Sequence, residues 1–109
     1  MARLFTLILI AATLASCAPP ASRGDFDSDN PAAKLYAIRR AGEDRDRSKI
    51  PKLVEQLDSD DEAVRMMSIQ ALKHITGEEL GYDPFVSPVE RRPAVEAWEK
   101  AVKDGRFTK

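Results

Sequence analysis

In 109 residues there is one cysteine, one histidine and one tryptophan, and each scarcity closes off a class of protein. With Cys17 alone, no intrachain disulfide forms, so the covalent staples of small secreted domains are missing. With His74 alone, no site on paired imidazoles exists, and a lone general base lacks the oriented nucleophile it needs. His74 reads instead as a partly exposed residue near a helix C-terminus, where positive character suits the dipole. The Asp-x-Asp-x-Asp-Gly pattern of a calcium loop is absent, although Asp58, Asp60, Asp61 and Glu62 cluster; helix capping accounts for these carboxylates without a cation. Aromatic residues make up 6% against 32% charged residues, which suits a solvated all-α domain better than a sandwich of aromatic-rich strands. The formal net charge is −1, and nucleic-acid binding draws on a basic surplus that this chain lacks.

No apolar run reaches the ~20 residues that span a bilayer. The run from Leu4 to Leu14, behind Met1-Ala2-Arg3, has the length of a signal-peptide core. It closes in Leu14-Ala15-Ser16-Cys17, which resembles the lipobox of bacterial lipoproteins. That resemblance implies cleavage before Cys17, a diacylglycerol on its sulfur and an acylated amine, with palmitate among the chains attached. Small residues let the extended backbone enter a narrow protease cleft, and the thiolate is the nucleophile that takes the lipid. Two or three acyl chains make a durable anchor at ~0.8 kcal/mol per buried methylene. An ordinary signal peptide, cut nearby to leave Cys17 as a free thiol, is the alternative. By the sorting rule of double-membraned bacteria, Ala18 in place of aspartate implies the outer membrane.

Residues 18–27 are rich in proline, glycine and charge and offer almost nothing to bury. They read as a tether reaching ~30 Å when extended. After it comes an internal repeat. Ser28-Asp29-Asn30-Pro31-Ala32-Ala33-Lys34-Leu35 and Ser59-Asp60-Asp61-Glu62-Ala63-Val64-Arg65-Met66 share a pattern, and such spacing suggests a solenoid. Each unit opens on an Asx N-cap, and Pro31 occupies a first-turn position that tolerates proline. The first unit predicts a helix from Pro31 to Gly42, then a second whose Ile50, Leu53, Val54 and Leu57 form one stripe, capped at Asp46 or Ser48. In the second unit Val64, Met67, Ala71, Leu72 and Ile75 predict the central helix, stopped at Gly77. Met66 and Met67 read as core filling. A fourth helix, with Val95, Trp98 and Val102 inward, starts at Pro88 behind a Ser87–Glu90 capping box or at Arg92. Pro93 predicts a kink in the first case and the later start in the second.

These paired helices, with Asp61-Glu62-Ala63-Val64-Arg65 opening the second pair, resemble HEAT repeats of the bacterial type also found in phycobilin-lyase-like proteins. The resemblance implies a capping role for Asp61 and inter-repeat pairing for Arg65. The reading is thus an all-α chain: residues 1–16 a signal peptide, 17–27 the lipidated cysteine and tether, and 28–109 a short α-solenoid of two HEAT-like hairpins. Tyr82, Phe85 and Trp98 are the candidate partner-binding residues, since aromatics anchor interfaces; the competing reading folds them back to seal the core. Arg39-Arg40 and Arg91-Arg92 read as solvated helix faces. The expected function is a non-catalytic, membrane-anchored module binding another envelope protein, with no metal, cofactor or small-molecule substrate beyond the lipid on Cys17. An accessory subunit of an envelope or lyase-like enzyme, and a passive spacer, are the alternatives.

Overall fold

The computed structural model describes residues 24–108; the lipobox, Cys17 and residues 18–23 lie outside the described residues. Four α-helices follow in order: α1 Pro31–Glu43, α2 Ile50–Gln56, α3 Glu62–Thr76 and α4 Pro88–Lys103, with a 3₁₀ turn at Arg47–Lys49 leading into α2. Among the described residues there is no strand, and no helix is long and apolar enough to cross a membrane.

The capping bonds of the internal repeat recur in both units. Ser28 Oγ accepts the Asn30 N–H at 3.0 Å, and Ser59 Oγ accepts the Asp61 N–H at 3.2 Å. Asn30 Oδ1 then accepts from Ala32 N at 3.1 Å, as Asp61 Oδ1 does from Ala63 N at 2.9 Å. The same serine-to-Asx geometry therefore launches both α1 and α3, satisfying first-turn N–H groups that have no intrahelical partner. Asp46 caps the 3₁₀ turn through Ser48 N, and Gly77 closes α3 at a left-handed φ of 78° that glycine adopts without strain.

α1 packs chiefly on α3, and α2 packs on α3 and, less extensively, on α4, which makes α3 the central helix. At the α1–α3 crossing, a Cβ on Gly42 would sit 3.0 Å from both Cα and Cβ of Ala71, so the bare glycine permits the close approach. Ile38, Ile50, Leu53, Leu57, Val64, Leu72, Val95 and Trp98 form the fully enclosed interior, while Met67 is half-buried against it.

Two expectations change and one open alternative is decided. The tether was expected to extend to Asp27, yet Phe26 is buried in the core cluster, and Asp25 N–H bonds Ala33 O at 3.2 Å. Phe26 adds a large apolar side chain to a core to which α1 contributes Ile38 and otherwise small residues, so the domain reaches back before Ser28. Secondly, of the two starts expected for α4 the one at Pro88 holds, with Ser87 capping through Glu90 N, and the helix runs on through Pro93. Val89 and Pro93 are both exposed, so the Val89 carbonyl that lacks an N–H from Pro93 is on a surface where solvent can satisfy it. Thirdly, Arg91 is 4% exposed and does not belong to a solvated face.

Candidate functional site

Eleven residues, 77–87, link α3 to α4, and the three candidate aromatics of the chain's second half meet different fates around this link. Trp98 is fully buried, donates from Nε1 to Glu79 O at 2.9 Å, and stacks at a tilt on buried Phe107 with ring centroids 5.5 Å apart. Tyr82 is buried and donates its hydroxyl to Leu57 O at 2.6 Å. Burial pushes this hydroxyl above its ordinary pKa of 10.0, against the opposing pull of the Arg91 and Arg65 guanidinium groups. Both rings seal the interior and present nothing to a partner. Phe85 alone of the three faces outward, 64% exposed, and Val89, four residues on, is 83% exposed.

An exposed phenylalanine is ordinary on its own; what is unusual here is how firmly its backbone is held. Arg65, 8% exposed, donates from Nε to Pro84 O at 3.0 Å and from Nη1 to Ser59 O at 2.8 Å. Asp83 Oδ1 accepts the Phe85 N–H at 2.9 Å. Arg91 donates from Nη1 to Val86 O at 2.6 Å. Three consecutive residues, Pro84, Phe85 and Val86, are thus each pinned by a different side chain. Neither guanidinium forms an ion pair with a carboxylate among the described residues, and the buried Arg91 Nε has no hydrogen-bond partner. Arg65 therefore serves backbone carbonyls of two loops, whereas the resemblance implied inter-repeat pairing for it. Asp61 keeps its capping role, accepting also from Val64 N at 3.4 Å.

Carboxylates surround the apolar stretch. Asp58 pairs with Arg92 Nη1 at 3.6 Å, Glu96 with Arg92 Nε at 3.2 Å, and Glu90 accepts from Ser87 Oγ at 3.1 Å. By joining Ser59 to Pro84, Arg65 also sets the acidic stretch Asp60-Asp61-Glu62 beside the loop. A shallow groove of about 480 Å³ runs along α4 here, lined by Asp58, Pro88, Val89, Arg92, Pro93 and Glu96.

Other chemistry-bearing groups are dispersed. His74 is exposed with its Nε2 3.4 Å from Arg45 Nη2. Among the described residues, no group of three or more His, Cys, Asp or Glu side chains is placed to hold a metal ion, the Asp58–Glu62 stretch included.

The family described as HEAT repeats matches residues 26–97. The match begins at the buried Phe26 and runs through both helical pairs into α4. No curated protein matches the chain, and no solved structure does.

Proposed function

The chain belongs to the HEAT-repeat family, and from that premise we propose that it is a non-catalytic protein-interaction module, held by a lipid on Cys17 at a bacterial membrane. Stacked helical pairs present extended surfaces to protein partners, and the single observation that carries the reading is Phe85: exposed on a backbone pinned by three side chains, while the neighbouring aromatics are buried in the core. Ordering costs are met by the fold before binding, the condition under which an aromatic side chain contributes most to affinity. The lipid anchor rests on the Leu14-Ala15-Ser16-Cys17 motif, and the outer membrane, facing the periplasm, on Ala18 following the cysteine. The partner in this reading is another envelope protein.

Two measurements test the two halves. Mass spectrometry of the product purified from source-cell membranes is expected to find a chain starting at Cys17 and carrying diacylglycerol and an N-acyl chain; an unmodified thiol or another N-terminus refutes the anchor. Crosslinking in those membranes is expected to give a discrete protein adduct that Phe85→Ala weakens, and the absence of any adduct favours a passive spacer. Tyr82 and Trp98 are unsuitable for that test, because truncating either opens the core.

A further inference from the structure

We propose that the stretch from Phe85 to Val89, with the groove along α4, docks a basic segment of a protein partner that carries an apolar anchor residue. The inference rests on the interaction function above and specifies the chemistry of what is recognised. The apolar half comes from Phe85 and Val89, 64% and 83% exposed, and from Pro88 and Pro93 lining a groove of about 480 Å³, room for one or two side chains. The charged half comes from Asp58, Asp83, Glu90 and Glu96 around it and from Asp60-Asp61-Glu62 beside it. Arg92, the exposed cation of this surface, is already shared between Asp58 and Glu96. Arg65 and Arg91 also carry positive charge, but their groups are buried and engaged with backbone carbonyls, so an arriving partner meets mainly carboxylates.

That sign selects among three occupants. A second copy of this chain would bring an identical acidic rim, and like charges facing each other oppose association. A membrane rich in anionic lipid is repelled for the same reason. A partner segment with Lys or Arg flanking an apolar residue satisfies both halves, its cations reaching Asp58 and Glu96 while its apolar side chain enters between Val89 and Pro93.

The test is photocrosslinking of the full chain in source-cell membranes, with p-benzoylphenylalanine replacing Phe85 or Val89 and, on the remote α3 surface, Gln70. Positions 85 and 89 are expected to capture a protein whose crosslinked peptide holds an apolar residue flanked by Lys or Arg. The yield is expected to fall by up to about fivefold for each of Asp58→Lys and Glu96→Lys, and to fall again in 1 M salt, which needs no variant. Capture of lipid or of a second copy, a peptide without basic residues, or a yield indifferent to both charge reversal and salt overturns the proposal. Adducts at position 70 with none at 85 or 89 overturn it while leaving the interaction function standing; no adduct at any position overturns both.

Discussion

Replacing Arg65 by lysine keeps a positive charge in the same place and removes only the guanidinium fork, which makes it the sharpest probe of how the Phe85 loop is held. Arg65 spans two carbonyls, Pro84 O at 3.0 Å and Ser59 O at 2.8 Å. A lysine ammonium on a flexible stem reaches one of them at a time. The variant therefore forfeits one charge-assisted hydrogen bond, about 1.5–3 kcal/mol, in a domain whose total stability at this size is on the order of 4–13 kcal/mol. For a domain of this length that corresponds to a fall in Tm of roughly 6–20 °C. Urea unfolding followed by far-UV circular dichroism measures the loss. Hydrogen exchange of the peptide covering residues 83–87 reports whether the loop has been released, and faster exchange there than in α1 is the expected pattern. A loss below about 0.5 kcal/mol together with unchanged exchange in that peptide would show that the fork holds nothing, and the pre-organisation argument for Phe85 would fail with it.

Phe85→Ala, by contrast, removes a mostly exposed ring and is expected to change stability by no more than about 0.5 kcal/mol in the same denaturation assay; a larger loss would mean that the ring packs inward. Phe26→Ala is expected to destabilise by about 2–4 kcal/mol, because Phe26 belongs to the core cluster; an unfolding midpoint equal to that of the parent would return residues 24–27 to the tether. Tyr82→Phe loses the buried bond to Leu57 O, about 1 kcal/mol. Since burial holds the folded Tyr82 pKa above its unfolded value, stability from this group is intact below pH ~10 and declines as pH rises past it; the phenylalanine variant is expected to show a flatter alkaline limb, and an unchanged limb would contradict the burial assignment.

The sequence made the helices legible because each carries an apolar stripe at helical spacing, and it made the repeat legible because capping is local chemistry: Ser28–Asn30 and Ser59–Asp61 need only near neighbours to form their turns. What stayed hidden was non-local. For Tyr82 and Trp98 the sequence leaves contact and core-sealing roles open, because the bonds that decide between them run to acceptors at Leu57 and Glu79, far away in sequence. Phe26 and Phe107 each stand alone in polar stretches, with no periodicity to betray a core role. Arg91 was obscured by its charge, and the acceptors of Arg65 lie in loops that the sequence does not bring together. A signal for Arg91 was present, since it precedes Val95, Trp98 and Val102 on one helical stripe of α4, and an arginine on an apolar stripe must find acceptors for its donors. The carbonyl it finds, Val86 O, and one of the two that Arg65 finds, Pro84 O, belong to the very loop that displays Phe85.

This arrangement separates folding from recognition. Two helical pairs are fewer than the roughly three repeats that solenoids usually need to bury a continuous core, so either a partner completes the core or the chain seals itself. The second holds for the described residues: Phe26 covers α1, while Tyr82, Trp98 and Phe107 close the side of α3 and α4. A partner that completed a core would face a broad apolar surface, and its loss would unfold the domain. The exposed large hydrophobics are instead Phe85 and Val89, on a loop and helix start fixed by internal bonds. In the proposed reading, binding there draws on a structure that is already formed, so the domain is expected to fold whether or not the partner is present, and changes at Phe85 are expected to alter affinity without altering the fold that displays it.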